Sequence, residues 1–148
     1  MIIQILTEDL LFRGYILQFL GLKIKNIWSL SITTGFLFAS IHLANSEIGS
    51  YGRWVILSGY VLPGFFLALI VLKDNRIELS LGIHFANNLF VTLIVGSKVT
   101  ALPSEPLFTY AQIQSASPAS CLSTLAKFGL FCFYFFIIKK DKVMYLRK

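Results

Sequence analysis

Long apolar stretches separated by short polar ones dominate this chain of 148 residues. A membrane-spanning helix needs about 20 predominantly apolar residues, and five stretches approach that length. Only 14% of the residues are charged, whereas soluble domains carry about 25%. We therefore predict an all-α fold, a polytopic membrane helix bundle of about five transmembrane helices in one domain over residues 1–148. The predicted spans are about 1–20, 27–44, 54–72, 77–95 and 122–138.

Residues that break helices mark the limits of these spans. Gly21 and the basic loop GLKIKN end the first span, and Pro63 with Gly64 predicts a kink inside the third, which membrane helices tolerate. Lys127 lies within the fifth span, where a lysine near the interface extends its amine towards water. The connection from Gly96 to Cys121 contains three prolines, which argue against a continuous helix there.

The positions of the basic residues predict an orientation in the membrane. The net charge of +6 would suggest a nucleic-acid partner in a soluble protein, but here the basic residues flank the apolar runs. Cytoplasmic loops of membrane proteins are enriched in lysine and arginine, so we expect a cytoplasmic C-terminus and no nucleic-acid partner. The residues concerned are Lys23, Lys25, Lys73, Arg76, Lys139, Lys140, Lys142, Arg147 and Lys148.

Three charged residues interrupt the first apolar run, in the stretch Thr7–Tyr15 (TEDLLFRGY). Charges within a membrane span cost a few kcal/mol each and mark functional sites by default. Asp9 and Arg13 are i,i+4 neighbours in the order that favours an ion pair. Glu8 lies about 140° around the helix from Arg13, so it is left without a direct cation and is a candidate general base or acid. The alternative is an exposed helix end with all three residues solvated.

Both histidines of the chain lie in other apolar segments. His42 follows Phe38 by one helical turn, and His84 precedes Asn88 by one turn. A membrane histidine often makes only an interhelical hydrogen bond. Two histidines, an asparagine and an acidic run on three separate helices favour a shared site instead.

The charged run and the two histidine motifs occur in the order E-D-x-x-x-R-G, F-x-x-x-H and H-x-x-x-N. In this order and spacing the chain resembles the CAAX prenyl protease and bacteriocin-processing family of intramembrane proteases. The matching residues are Glu8, Asp9, Arg13, Gly14, Phe38, His42, His84 and Asn88.

The sequence departs from that family in two respects. The family typically has a second glutamate where this chain has Asp9, which keeps the charge on a shorter side chain. Family members also have further spanning helices before the first motif, so the resemblance predicts an N-terminally truncated chain.

The resemblance implies an intramembrane endopeptidase with Glu8, His42, His84 and Asn88 as catalytic residues. Glu8 is expected to activate a water held between it and His42, while His84 and Asn88 stabilise the oxyanion. Asp9 and Arg13 are expected to support the site. The implied substrate is a membrane-associated protein or peptide, a class that includes the prenylated CAAX type, and the implied location is the bacterial plasma membrane.

Cofactor use and catalytic activity each have alternative predictions. We expect no cofactor and no metal, but Glu8, His42 and His84 also form a plausible zinc ligand set. A second hypothesis is an inactive membrane scaffold or a bacteriocin self-immunity protein of the same fold. A third is a small transporter with a proton relay, although the sequence has no paired, broken helices of the inverted-repeat kind.

Overall fold

Helices make up most of the described part of the chain, which agrees with the predicted all-α class. The structure, a computed structural model, describes residues 1–51, 53–97, 105–110, 122, 124–126, 128–129 and 133. Its elements in chain order are α1 (residues 2–21), α2 (Ile27–Ser40), α3 (Ser46–Tyr51), α4 (residues 53–74), α5 (Glu78–Leu93), β1 (Val95–Ser97) and β2 (Phe108–Tyr110).

Two of the helices contain a π-helical segment. In α1 the segment Leu10–Ile16 separates the α-helical Ile2–Asp9 and Leu17–Gly21. In α4 the segment Ile56–Val61 precedes Leu62–Asp74, and Pro63 stands in the first turn after it. Proline lacks an N–H donor and crowds the preceding turn, and membrane helices accommodate it by local π-helical adjustments that satisfy the freed backbone groups. The predicted interruption of the third span thus takes the form of a change in helical pitch.

Two asparagines define where helices begin and end. The side chain of Asn26 accepts hydrogen bonds from the backbone N–H groups of Trp28 and Ser29, which caps the start of α2. Asn75 has a positive φ of 58° and ends α4 in the left-handed conformation that terminates many helices. The short loop between α4 and α5 therefore follows Asp74, at the boundary between the predicted spans 54–72 and 77–95.

The core is built around α4. The stretch Phe66–Leu72 of this helix is buried throughout. Leu17 of α1 and Leu30 of α2 pack against one side of it, and Leu79 and Ile83 on the α5 side pack against Phe66 and Ile70. Helix α4 is thus surrounded by the helices that carry the charged and histidine motifs.

A pair of glycines brings α2 and α4 into close contact. A Cβ atom at Gly35 would lie 2.8 Å from the carbonyl oxygen of Val61, and one at Gly64 would lie 3.0 Å from the Cα of Gly35. Small residues let the backbones of membrane helices approach this closely. The contact fixes α2 next to α4 just before Phe38 and His42.

The described residues include one helical stretch, Ile56–Asp74, that is long and apolar enough to cross a membrane, while Ile27–Ser40 is apolar but shorter. Most of the predicted fifth span, 122–138, lies outside the described residues. Phe128, which is described, stacks on Phe66 of α4 with ring centroids 5.4 Å apart. The five-span arrangement remains a prediction.

Two of the predicted spans extend beyond the helices that form them. Helix α2 ends at Ser40 rather than residue 44. His42 therefore lies in the turn after the helix, and its backbone N–H donates to the carbonyl oxygen of Ala39. Helix α5 ends at Leu93, and the following residues pair with β2 as parallel strands. Gly96 permits this pairing because it has no Cβ atom. A Cβ at this position would lie 2.9 Å from the ring of Pro106, which is too close for a larger residue.

Candidate active site

The residues singled out by the three motifs meet at one place in the bundle. Glu8 and Asp9 come from α1, His84 and Asn88 from α5, and His42 from the turn after α2. Asp9 is fully buried, both histidines are buried, and the side chain of Glu8 is 13% exposed. The hypothesis of a solvated helix end is therefore wrong, and these charged groups belong to a partly enclosed site.

The carboxylate of Glu8 lies between the two imidazoles. Its Oε1 is 3.9 Å from Nε2 of His42, and its Oε2 is 3.8 Å from Nε2 of His84. Both distances exceed that of a direct hydrogen bond. Gln4, one turn earlier on α1, donates from Nε2 to Oε1 of Glu8 at 2.9 Å, which fixes the direction in which the carboxylate points.

Each histidine commits its Nδ1 atom to an oxygen that can only accept. Nδ1 of His42 lies 2.8 Å from the carbonyl oxygen of Phe38, and Nδ1 of His84 lies 2.7 Å from Oδ2 of Asp9. A carbonyl and an ionised carboxylate have no proton to give. The proton must therefore sit on Nδ1 in both rings, which leaves each neutral ring with an unprotonated Nε2 facing Glu8.

Asp9 contacts both α5 and its own helix. Besides the hydrogen bond to His84, its Oδ1 lies 3.2 Å from Nη1 of Arg13, so the predicted i,i+4 ion pair is present. Within the described part of the chain the guanidinium makes no hydrogen bond. Asp9 is its counter-charge. The ring of Phe38 also makes a cation–π contact with it, with the ring centroid 4.4 Å from the guanidinium carbon.

Phe38 is the apolar centre of the site. Its ring packs edge-on against Phe12 at 5.4 Å and against His84 at 5.9 Å, and at a tilt of 47° against His42 at 4.7 Å. Its carbonyl also accepts from His42. One residue thus contacts both imidazoles and the buried arginine, which explains why a phenylalanine one turn before the histidine suits this site.

The amide of Asn88 is turned towards His84. Its Nδ2 lies 3.4 Å from Nε2 of His84, and its Oδ1 accepts from Nδ2 of Asn87 at 3.2 Å. Since the oxygen is held by Asn87, the NH₂ group is the part of Asn88 that faces the site. This gives the site a neutral hydrogen-bond donor beside its acceptors.

Several acceptors therefore converge from different helices. Glu8 offers carboxylate oxygens, and His42 and His84 each offer an Nε2 lone pair that lies 3.8–3.9 Å from one of those oxygens. Such a set is complementary to a group that brings protons or positive charge, and a water molecule supplies two protons. Chemically, the arrangement can bind and deprotonate a water and offer an amide donor next to it.

The same acceptors are of the types that zinc takes, one carboxylate and two neutral imidazoles, with each Nδ1 held as in metal-bound histidines. Among the described residues, however, no group of three or more His, Cys, Asp or Glu side chains is arranged to hold a metal ion. The metal-free site remains our prediction, and zinc bound by Glu8, His42 and His84 remains the alternative.

Some residues of the site carry no motif. Gln4 orients Glu8 and Asn87 orients Asn88, and each is a helical neighbour of the residue it holds. The i,i+4 spacing of Gln4 and Glu8 was a usable signal. The bond from Asp9 to His84 joins residues 75 apart in sequence, and no pattern within one helix reveals such a partner.

The fold and the site define a mostly helical protein in which a glutamate, two histidines and an asparagine come together from three segments. The profile of the Rce1-like family, described as type II CAAX prenyl endopeptidase Rce1-like, matches residues 1–90. Because this match covers more than half of the chain, the protein belongs to that family. The match includes every motif residue from Glu8 to Asn88.

A curated relative supports the same assignment. The chain is 37% identical over 108 residues to the uncharacterized protein YyaK of Bacillus subtilis strain 168, and the alignment covers 72% of this chain and 36% of the relative. The chain therefore spans about a third of the length of that relative. No solved structure matches.

Proposed function

We propose that this protein is an intramembrane endopeptidase that hydrolyses a peptide bond of a membrane-associated protein or peptide with a glutamate-activated water. The observation that carries this proposal is the position of the Glu8 carboxylate between two Nε2 atoms at 3.9 and 3.8 Å. Membership of the type II CAAX prenyl endopeptidase family supports the reaction class.

In the first step the water binds between Glu8 and His42. Glu8 takes a proton from it, and the water oxygen forms a bond to the carbonyl carbon of the substrate. The carbonyl oxygen becomes an oxyanion. The Nδ2 group of Asn88 donates to it, and Nε2 of His84 does so when the imidazole carries its second proton. One such donor is worth about 3–4 kcal/mol in other hydrolases.

In the second step the carbon–nitrogen bond breaks and the proton held by Glu8 passes to the leaving amine. The products are a carboxylic acid and an amine, which exchange a proton to become a carboxylate and an ammonium group, and Glu8 returns to its ionised form. Asp9 holds the ring of His84 through Nδ1 throughout, and Arg13 balances the charge of Asp9. Supply of protons by a positioned carboxyl group contributes about 10²- to 10⁴-fold to rate.

The proposed substrate is a prenylated C-terminal CAAX peptide, in keeping with the family description. Helix α1 exposes apolar side chains, among them those of Leu6, Leu10 and Leu11. An exposed apolar surface of this kind suits a protein in a bilayer. The proposed location is the bacterial plasma membrane, with the C-terminus in the cytoplasm.

The test is a cleavage assay on the full chain reconstituted in lipid nanodiscs. Prenylated and unprenylated peptides of the same sequence are incubated with the wild type and with Glu8→Gln, and mass spectrometry identifies the cleaved bond. We expect cleavage by the wild type alone and a preference for the prenylated peptide. No cleavage by either protein would favour the inactive scaffold or self-immunity hypothesis.

A second arm of the assay addresses the zinc alternative. When a metal is bound by Glu8, His42 and His84, it supplies an activated water. We expect strict chelation to leave the cleavage rate unchanged. Loss of activity on chelation that zinc restores would replace the metal-free mechanism with the metal-dependent one.

A further inference from the structure

The ring of His42 contacts two aromatic rings. Phe38 packs against it at a tilt, with centroids 4.7 Å apart and planes at 47°. Tyr60 of α4 stacks on His42 with centroids 4.4 Å apart and planes at 22°. Together with the Nδ1 bond to Phe38, these contacts restrain the imidazole in the orientation that turns Nε2 towards Glu8.

Tyr60 is in turn tied back to the chain next to His42. Its hydroxyl accepts a hydrogen bond from Nδ2 of Asn45 at 2.8 Å. The backbone N–H of Asn45 donates to the carbonyl oxygen of His42 at 3.0 Å. The three residues thus form a ring of contacts. Asn45 is hydrogen-bonded to the His42 backbone and to the Tyr60 hydroxyl, and Tyr60 stacks on the His42 imidazole.

His42 needs such support more than the other residues of the site do. Glu8 and His84 stand within helices α1 and α5, where the backbone hydrogen bonds of the helix fix their direction. Helix α2 ends at Ser40, so His42 lies in the turn beyond it. A side chain on a turn is held by its neighbours, and its misplacement by about 1 Å can cost about 100-fold in rate.

We propose that Tyr60 is a positioning residue for His42 and that Asn45 fixes Tyr60 in that role. The catalytic consequence rests on the proposed function, but the effect on the imidazole does not. Tyr60 and Asn45 lie outside the three sequence motifs, and the proposal assigns them to the site by their contacts with His42.

The first test reads the imidazoles directly and needs no substrate. The chain has two histidines, so histidine labelled with ¹⁵N and ¹³C gives two ring systems, which His42→Ala and His84→Ala assign. In Tyr60→Leu the loss of the stacked ring is expected to shift the His42 ring signals and leave those of His84 in place. Tyr60→Phe keeps the ring and is expected to retain the wild-type chemical shifts of the carbon-bound protons.

Asn45→Ala and Trp28→Leu complete this test. Asn45→Ala is expected to move or broaden the His42 signals alone, because Tyr60 loses its tether. Trp28→Leu removes a different stacked pair, Trp28 with Phe65 at 6.3 Å, and is expected to leave both histidines unchanged. The proposal is overturned when Tyr60→Leu leaves the His42 signals where they are, or when Trp28→Leu moves them equally.

The second test measures turnover in two backgrounds. Tyr60→Leu is expected to lower kcat about tenfold or more with a smaller change in KM, and Tyr60→Phe is expected to restore most of the rate. In the His42→Ala background, Tyr60→Leu is expected to cause less than about a twofold further loss, because a residue that acts through His42 has nothing left to position. Equal losses in both backgrounds would overturn the proposal.

The two proposals fail separately. Cleavage that Glu8→Gln leaves undiminished refutes the glutamate mechanism, while the histidine spectra still decide the role of Tyr60. If Tyr60→Leu shows normal cleavage and normal His42 signals while Glu8→Gln is inactive, the positioning role of Tyr60 is refuted and the glutamate mechanism stands.

Discussion

Asp9 and His84 lie 75 residues apart in the sequence and are joined by a 2.7 Å hydrogen bond from Nδ1 to Oδ2. The bond links α1 to α5 and fixes which nitrogen of His84 carries the proton. The same carboxylate pairs with Arg13 at 3.2 Å. Asp9 therefore has two roles: it pairs with Arg13 within α1, and it orients the ring of His84 on α5.

Asp9→Asn is expected to destabilise the protein because it leaves the buried guanidinium of Arg13 without a counter-charge. Breaking a buried pair in this way costs about 3–5 kcal/mol. Denaturation in detergent, followed by circular dichroism, measures the loss. Asp9→Glu keeps the charge on a longer side chain and is expected to lose less, and Glu78→Gln, at an exposed position, controls for the removal of a carboxylate. An Asp9→Asn variant as stable as Glu78→Gln would contradict this account.

Both histidines are expected to show the Nδ1–H tautomer when neutral. Their Nδ1 partners, the Phe38 carbonyl and the Asp9 carboxylate, accept hydrogen bonds and cannot donate them. The ¹⁵N chemical shifts of labelled histidine distinguish a protonated ring nitrogen from an unprotonated one. A protonated Nε2 with a bare Nδ1 in either ring would contradict the arrangement around Glu8.

Phe38→Leu is expected to weaken the site and the fold together. The change removes the ring under the Arg13 guanidinium and the contacts with both imidazoles, at a cost on the order of 1–3 kcal/mol, and it lowers the cleavage rate. Phe36 is 58% exposed on the same helix, so Phe36→Leu is the matched control and is expected to change neither quantity. Equal effects of the two variants would argue against a central role for Phe38.

Gly35→Ala is expected to push α2 away from α4. The new methyl group would lie 2.8 Å from a carbonyl oxygen, and overpacking of this kind costs about 1–3 kcal/mol. At Gly82 a Cβ meets no described atom within 4 Å, so Gly82→Ala is expected to keep or raise stability through its better helix propensity. The free energies of unfolding of the two variants measure the difference, and a Gly35→Ala protein as stable as Gly82→Ala would refute the close contact.

The predictable parts of the fold are those that depend on the sequence pattern within a single helix. Apolar length located α1, α2, α4 and α5 but not the short, polar α3, and the i,i+4 spacing predicted the pair of Asp9 and Arg13. The separation of Glu8 from Arg13 around the helix left Glu8 for another partner. Each of these inferences needs only the geometry of a single helix.

The contacts between helices were not predictable in the same way. The bond from Asp9 to His84 and the stack of Tyr60 on His42 depend on how the helices cross, which sequence spacing does not contain. The end of α2 was placed too late because residues 41–44 are as apolar as the helix before them. The strand after α5 was missed because Val95 continues an apolar run, while its pairing depends on the close approach of Gly96 to Pro106.

The measurement that tests the account most directly compares Glu8→Gln with Glu78→Gln in a single-turnover cleavage assay on a prenylated peptide. Both variants replace a carboxylate with an amide of the same shape, and only Glu8 faces the two imidazoles. We expect Glu78→Gln to cleave at the wild-type rate and Glu8→Gln to be slower by at least about 100-fold. A Glu8→Gln protein that cleaves as fast as the wild type would contradict the role of Glu8 as the base.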